Sequence, residues 1–334
     1  MSTFRDREKL RYERQKAELF SAEACAPGTY KKHLRPFCLA DGYSQENLYT
    51  GHREQAIVYF QQRGIPWHDG IRSEGIHNPS NHLCCSQSAC VNALWPLTTE
   101  PVLLADAFRP FLPQIVKALP FDADSHLPDG HHPYLAFEWI GTKNYLGERG
   151  SRLRGAMSTS ADFAFRYQRD DGQIGLVLGE WKYTEDYRFA QPKSKKTLVN
   201  QQTIYAPHYN TWRVERPDLP PYSEFFVEPF YQLMRLTLLA RAMEQAHKHD
   251  GTGEMEADHV TVVHIAPRAN DEFASSVQSD TLKGLGGTPS AIWAYVEPKH
   301  FVSIASEDLL RSLNDSAPTH LHDWGDYLLR RYGW

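Results

Sequence analysis

A glutamate and a lysine are separated by one residue in Glu180-Trp181-Lys182, near the middle of the chain. They follow the apolar run Leu176–Leu178, which predicts a buried β-strand. Because strand side chains alternate between faces, Glu180 and Lys182 share one face and Trp181 takes the other. Asp162 begins a second predicted strand just upstream, so its carboxylate can lie beside that of Glu180. The spacing therefore predicts an oxygen-rich site with a lysine next to it.

Two carboxylates and a lysine are the groups that metal-assisted hydrolysis of a phosphodiester requires. Mg²⁺ prefers oxygen ligands and is typically held by one or two carboxylates plus substrate phosphate. Such an ion polarises the phosphoryl oxygen and lowers the pKa of a bound water. Lys182 would place positive charge where the phosphorane builds negative charge, and it could orient or help deprotonate the water. The alternative is a solvated Glu–Lys pair on a strand rim, which contributes little to stability.

The wider sequence resembles the PD-(D/E)XK nuclease superfamily, which has the restriction-endonuclease-like fold. The resemblance runs from Tyr134 to about Arg241, and Ala161 stands where the superfamily motif has Pro. It implies that Asp162 and Glu180 bind Mg²⁺, with Mn²⁺ as a substitute, and that Lys182 is the catalytic lysine. The segments that carry it are Phe137-Glu138-Trp139, Asn144-Tyr145-Leu146-Gly147-Glu148, Thr159-Ser160-Ala161-Asp162, Gly179-Glu180-Trp181-Lys182-Tyr183-Thr184-Glu185 and Phe230-Tyr231-Gln232-Leu233-Met234-Arg235.

The resemblance also implies an upstream acidic residue, for which Glu138 and Glu148 compete. Glu138 is favoured slightly because it lies in an apolar stretch, where an unpaired carboxylate would be costly. The alternative for Glu138 is a structural ion pair with Arg154. Gln232, on a later predicted helix, falls where related nucleases carry a glutamine that contacts the site; its alternative is a surface amide.

The net charge of −5 argues against a general nucleic-acid coat protein. It does not argue against a nuclease, because local basic patches can supply the phosphate contacts. Two basic clusters flank the predicted site and are candidate DNA contacts, although such clusters are equally often solvated loops. Their members are Arg149, Arg152 and Arg154 before the Asp162 strand, and Lys193, Lys195 and Lys196 after the Glu180 strand.

Composition limits the compartment and the cysteine chemistry. The 334 residues are 41% hydrophobic and 12% aromatic, which suits a globular chain with a sizeable core. The sequence contains no run of 18 apolar residues, so no membrane span is predicted. The charged N-terminus does not resemble a secretory signal, and we therefore expect a cytoplasmic protein. The five cysteines have irregular spacing that predicts no disulfide framework, and the adjacent Cys84 and Cys85 are poorly spaced for zinc.

The order of predicted elements indicates an α/β fold with a restriction-endonuclease-like core, in which helices flank a mixed central sheet. We expect residues 1–120 to form an N-terminal helical and irregular elaboration that packs on a nuclease core at 121–334. The apolar patterns predict helices at 3–21, 51–62, 81–95, 103–119, 195–205, 223–248, 309–313 and 324–332, and strands at 134–140, 160–167, 174–183, 260–265 and 291–297.

The sequence therefore predicts a metal-dependent nuclease that hydrolyses DNA and acts as an endonuclease in restriction or phage defence. The alternative is a catalytically silent nucleic-acid-binding module on the same fold, which would require a broken Asp162, Glu180 and Lys182 set. The chain has no Gly-x-Ser-x-Gly, His-Glu-x-x-His or phosphate-loop motif, which argues against other hydrolase classes. The expected partners are DNA and either a second copy of the chain or a partner subunit that supplies specificity.

Overall fold

A computed structural model describes residues 2–73, 76–121, 126–127, 129–149, 158–191 and 195–333. The first helix, α1 (Phe4–Leu19), begins where the Thr3 hydroxyl accepts a hydrogen bond from the Asp6 N–H, which caps the helix. Its buried side chains recur every four residues, from Phe4 to Lys16, so the helix has a stripe that packs inward despite its high charge. The helix predicted at 3–21 is thereby confirmed.

Short elements follow α1 and wrap one face of the molecule. They are β1 (Gly28–Tyr30) and β2 (His33–Arg35), which form a hairpin; α2 (Arg53–Gln62); β3 (Ile71–Ser73) and β4 (Ile76–Asn78), which form a second hairpin; and α3 (Ser86–Leu94) and α4 (Pro101–Phe108).

The central sheet has six strands, with the remaining helices placed around them. In chain order the elements are β5 (Ile115–Leu119), β6 (Leu135–Trp139), β7 (Ala161–Arg169), β8 (Ile174–Trp181), α5 (Lys195–Glu215), α6 (Phe230–Asp250), β9 (His259–Ala266), α7 (Asp271–Ala274), α8 (Asp280–Lys283), α9 (Pro289–Val296), β10 (Phe301–Ala305), α10 (Ser306–Ser316) and α11 (His322–Tyr332).

The sheet is mixed, and β8 lies at the boundary between its two kinds of pairing. The strand order is β10-β9-β8-β7-β5, and β6 also pairs with β7. The pairs β7–β8, β6–β7 and β5–β7 are antiparallel, whereas β8–β9 and β9–β10 are parallel. Helices flank this sheet, so the predicted α/β class is confirmed.

Two apolar clusters cover the two faces of the sheet. One joins the N-terminal helices and the last two helices to Val177 and Val263; the other joins α5, α6 and α9 to Leu178 and Val262. Because neighbouring strand residues belong to opposite clusters, β8 and β9 are buried on both faces, as expected for the centre of an α/β sheet. Among the helices of the described residues, none combines the length and the apolar character that a membrane span requires.

Two predicted elements were wrong. The helix predicted at 103–119 ends at Phe108, and Ile115–Leu119 is the strand β5, because Pro110 and Pro113 interrupt the helical hydrogen bonding. The strand predicted at 291–297 is instead the helix α9. Its start is fixed by Thr288, whose hydroxyl accepts from the Ala291 N–H, and by Pro289 in the first turn. The strand of that region is β10, which the sequence analysis missed.

Other predicted boundaries moved by several residues. The helix predicted at 81–95 spans only Ser86–Leu94, and the helix predicted from residue 223 begins at Phe230. The helix predicted at 195–205 extends to Glu215 although Pro207 lies inside it. The three strands that carry the candidate site were predicted to within three residues at each end.

Gly179 brings the site strand into close contact with β7. A Cβ atom at this position would lie 2.1 Å from Cε1 of Phe163, so only glycine allows the ring to lie across the backbone of β8. Gly179 pairs with Phe163 in the β7–β8 register and directly precedes Glu180. The contact therefore links the packing of Phe163 to the position of the candidate site.

We predict that Gly179→Ala lowers the free energy of unfolding by about 1–3 kcal/mol, because the added methyl group overpacks a filled core. The measurement is the midpoint of urea unfolding. Gly287→Ala is the matched control, since nothing lies within 4 Å of a Cβ built there and its backbone is not left-handed. We expect the control to stay within about 0.5 kcal/mol of the parent. Equal midpoints for the two variants would contradict the packing argument.

Candidate active site

The pairing of β7 with β8 places Asp162 beside Glu180. Phe163 pairs with Gly179, so the next position of this antiparallel register brings together Asp162 and Glu180. The N–H of Trp181 donates a hydrogen bond to Oδ2 of Asp162 at 2.7 Å, which fixes the carboxylate against the end of β8. The two carboxylates that the sequence pattern predicted as neighbours are thus adjacent in the structure.

The same register extends across four strands. Phe137 pairs with Phe163 and Trp139 with Ala161, which places Glu138 opposite Asp162. On the other side, Glu180 pairs with His264 of β9. We call this line of Glu138, Asp162, Glu180 and His264 the polar row. The row crosses a sheet whose strands are otherwise apolar at their centre. Clustered ionisable groups in such surroundings mark a candidate active site.

Lys182 lies directly after β8 and is held on two sides. Its Nζ is 2.6 Å from Oε1 of Glu180 and donates a hydrogen bond to Oε1 of Gln232 on α6 at 2.7 Å. Its backbone N–H donates to the carbonyl of Ile265, which continues the pairing with β9. Only 6% of the Lys182 side chain and 5% of the Glu180 side chain are exposed, so this ion pair is shielded from solvent.

Burial opposes the charge of Lys182, but the surrounding acidic side chains outweigh it. Glu180 contributes most, followed by Tyr187, Glu185 and Asp162, and together they raise the pKa of Lys182 well above its usual range. The lysine is therefore an ammonium ion at neutral pH. In this arrangement it is suited to stabilising negative charge and to orienting a water, rather than to accepting a proton.

Asp162 is the electrostatically unbalanced member of the polar row. Burial raises its pKa well above the usual range of a carboxyl group, and the charges of Glu180 and Glu138 raise it further. Lys182 and the Trp181 N–H act in the opposite direction without cancelling this effect. Three carboxylates share one ammonium group, so a further cation near Asp162 would relieve the repulsion.

The free oxygens of the row suit a small divalent ion. Trp181 engages one oxygen of Asp162 and Lys182 engages one oxygen of Glu180, while the second oxygen of each accepts no hydrogen bond from a described residue. Within the described ranges, no group of three or more His, Cys, Asp or Glu side chains is arranged to hold a metal ion. Mg²⁺ commonly takes one or two protein carboxylates and fills its remaining positions with water and phosphate oxygens. The donor set therefore fits such an ion.

The two candidate upstream acids lie in different surroundings. Glu138 is in the polar row, where its backbone adopts a positive φ of 48° and its Oε1 accepts a hydrogen bond from Gln87 at 2.7 Å. Its proposed alternative partner, Arg154, lies outside the described residues.

Glu148 belongs to a separate buried cluster. Its carboxylate accepts hydrogen bonds from the Thr159 N–H and hydroxyl and from the Tyr205 hydroxyl, and it lies 3.5 Å from a guanidinium nitrogen of Arg235. These contacts anchor the segment before β7 onto α5 and α6.

The predicted DNA contacts are only partly described. Arg152, Arg154 and Lys193 lie outside the described residues. Lys195 and Lys196 form the first turn of α5, but their side chains are not among those described. Gln232 is in place at the site, where its amide oxygen accepts the hydrogen bond from Lys182.

Two residues at the site, His264 and Gln87, were not predicted from the sequence. His264 is fully buried, and its pKa is lowered to about 3 by burial and by the charge of Lys182, so it is neutral at pH 7. Its Nδ1 lies 3.3 Å from the Ser290 hydroxyl, and its Nε2 has no hydrogen-bond partner in the described part of the chain. A signal was present, since His264 is the one ionisable residue inside the apolar run Val260–Ala266. No sequence pattern around Gln87 indicates that it contacts the site.

Comparison with known proteins identifies the family of this chain. No curated protein and no solved structure matches the chain. A family model described as restriction endonuclease associating with ARP matches residues 10–333, which is nearly the whole chain and includes every member of the polar row. The chain therefore belongs to the family of restriction endonucleases associating with ARP.

Proposed function

We propose that this protein is a metal-dependent endonuclease that hydrolyses DNA phosphodiester bonds in restriction or phage defence. The observation that carries the proposal is the buried Lys182 ammonium between Glu180 and Gln232, beside the unbalanced carboxylate of Asp162. A fixed cation next to clustered carboxylates is the arrangement that phosphoryl chemistry requires. Membership in a restriction endonuclease family supports the same activity.

Asp162 and Glu180 would hold Mg²⁺, with Mn²⁺ as a substitute, and Glu138 would be the upstream acid. When bound, the ion supplies Lewis-acid polarisation of the phosphate and lowers the pKa of an attacking water. Lys182 places its ammonium group where the phosphorane gains negative charge, and the pair of acceptors on Glu180 and Gln232 prevents it from rotating away. Gln87 orients Glu138 through their hydrogen bond.

Recognition of DNA would come from groups around this row and from a partner. Arg152, Arg154, Lys195 and Lys196 stay candidate phosphate contacts, because they flank the strands of the site in sequence. The family description names an association with ARP, which supports a partner protein in the active assembly. The alternative to a partner protein is a homodimer, in which each copy of the chain would cut one strand of a duplex.

We predict that Lys182→Met lowers the rate of plasmid cleavage by at least about 10²-fold, because the transition-state charge loses its fixed cation. The measurement is nicking and linearisation of supercoiled DNA with Mg²⁺ or Mn²⁺, alongside linear DNA to separate endonuclease from exonuclease action. Lys283→Met is the control, since this lysine is 54% exposed and its one ion-pair partner in the described part of the chain is Asp280 on α8. Parental cleavage by Lys182→Met would rule out the assigned role of the lysine.

The Lys182 substitution leaves the buried Glu180 carboxylate without its partner, which is expected to destabilise the fold by about 3–5 kcal/mol. The double variant Glu180→Gln/Lys182→Met removes both charges together and separates lost chemistry from lost folding. It should keep a cooperative thermal transition and still fail to cleave. DNA affinity that is independent of metal, with no cleavage by the parent protein, would support the silent binding module instead.

We predict that Asp162→Asn stabilises the metal-free protein by about 1 kcal/mol, or roughly 2 °C in Tm, because it removes a repelled, half-buried charge. A carboxyl group whose pKa is raised by folding costs stability above that pKa, so the advantage of the variant should shrink as the pH falls from 8 to 5. Thermal unfolding with and without Mg²⁺ is the measurement.

Mg²⁺ should raise the Tm of the parent protein and leave that of Asp162→Asn nearly unchanged, since binding to the folded state alone is stabilising. Asp106→Asn is a suitable control, because this aspartate is 40% exposed and pairs with Arg109 on the surface. An equal Mg²⁺ shift in the parent and in Asp162→Asn would remove Asp162 from the metal site.

A further inference from the structure

A cavity lies between the N-terminal elements and the chain that follows β8. It encloses about 390 Å³, and we call it the N-terminal cavity. Its walls come from α1, from the β1–β2 hairpin, from the segment before α3, and from Thr184 and Glu185. Thr184 is two residues after Lys182, which is at most about 7 Å of extended chain. One wall of the cavity is therefore close in sequence to Lys182.

The wall contributed by α1 is fixed to the strand that carries the site. Nε of Arg5 donates a hydrogen bond to the Thr184 carbonyl at 2.8 Å, and the Thr184 hydroxyl donates to the Cys84 carbonyl at 3.3 Å. Thr184 itself is buried. These contacts join the N-terminal elements to the segment that follows β8, so one wall of the cavity is fixed to the chain that carries Lys182.

The charges that line the cavity favour an anion. Four cationic side chains line it, against the two carboxylates of Asp69 and Glu185, although the whole chain carries a net charge of −5. Both carboxylates already accept hydrogen bonds, Asp69 from the Tyr30 hydroxyl and Glu185 from the Tyr183 N–H. The four cations are Arg5, Lys9, Lys31 and Arg35.

Two of these cations are available to a ligand. Lys31 and Arg35 are exposed on the β1–β2 hairpin, and neither has a hydrogen bond or carboxylate partner among the described residues. Unpaired cations that face a half-enclosed cavity are a common feature of phosphate-binding sites.

Aromatic rings lie beside the cations. The His82 ring is 4.5 Å from the Tyr30 ring and 5.1 Å from the Phe37 ring. Lys9 and Lys31 each lie 5.1 Å from a ring centroid, over Phe37 and Tyr30 respectively. The pKa of His82 is lowered to about 4 by burial and by Lys9 and Arg5, so its ring is neutral at pH 7. A neutral aromatic surface next to unpaired cations suits a nucleobase with an attached phosphate.

We propose that the N-terminal cavity binds a single nucleotide, with its base against the Tyr30 and His82 rings and its phosphate on Lys31 and Arg35. The volume lies within the range of small-molecule sites. The nucleotide has two sources: a residue of the DNA that has left its stack, or a free nucleotide. The short chain separation between Thr184 of the cavity wall and Lys182 favours the DNA residue, and only that assignment depends on the proposed nuclease function.

Titration with the four deoxynucleoside 5′-monophosphates and with inorganic phosphate, in EDTA, tests the site without any cleavage. The full chain should bind at least one monophosphate more tightly than phosphate alone, because the rings add to the charge contacts. The double variant Lys31→Ala/Arg35→Ala should weaken this binding at least tenfold.

The matched control is Lys32→Ala/Arg14→Ala. It changes the net charge by the same amount, both side chains are exposed, and Lys32 shares the left-handed backbone of Lys31. The control should stay within twofold of the parent. Equal weakening in the two double variants would assign the effect to diffuse charge and overturn the proposal, as would the absence of any monophosphate binding by the parent.

A second arm identifies the source of the nucleotide. Duplex DNA with single 2-aminopurine substitutions is mixed with the double variant Glu180→Gln/Lys182→Met, which should stay folded and does not cleave. A fluorescence rise that is lost when Lys31→Ala/Arg35→Ala is added identifies a DNA residue in the cavity. Monophosphate binding without such a rise identifies a free nucleotide as the ligand of the same site. Monophosphate binding by a parent protein that cleaves no DNA would leave the cavity assignment standing while the nuclease proposal fails.

Discussion

Four adjacent strands each contribute one residue to the polar row, and their alignment depends on strand register. A slip of one residue in the β8–β9 pairing would turn His264 to the opposite face and leave Glu180 against an apolar neighbour. The side chains of β8 and β9 fill two separately packed clusters, so such a slip would exchange residues of different size between them and disrupt both. Gly179 adds a close contact that only one register allows. The precision of the candidate site is therefore a property of the whole sheet.

The polar row also places opposing demands on charge and burial. The Lys182–Glu180 pair is shielded from water, which strengthens its attraction but requires that neither partner be left alone. Asp162 has no such partner among the described residues, and its raised pKa reflects the free energy that its ionised form costs. A site with this imbalance is less stable without a cation than with one. The same imbalance gives the site its affinity for positive charge.

The sequence predicted the parts of the site that depend on local periodicity. Glu180 and Lys182 share a face because they are two residues apart, and the strand limits followed from apolar runs with charged ends. His264 could not be placed, because its position beside Glu180 depends on a parallel pairing between distant segments. The Glu148 cluster likewise depends on α5 and α6. The strand predicted at 291–297 was wrong because a short apolar run does not distinguish a buried helix from a strand. The division of the chain near residue 120 stays a prediction.

Because β8 has one antiparallel and one parallel partner, its two pairings form at different times during synthesis of the chain. Only residues 170–173 separate β7 from β8, whereas residues 182–258 separate β8 from β9. Short loops close at low entropic cost and long-range pairings form late, so the hairpin with Asp162 and Glu180 precedes the rest. Gln232 and His264 leave the ribosome only afterwards. We expect a nascent chain to carry the acidic residues without a fixed lysine, which ties catalytic competence to completed synthesis.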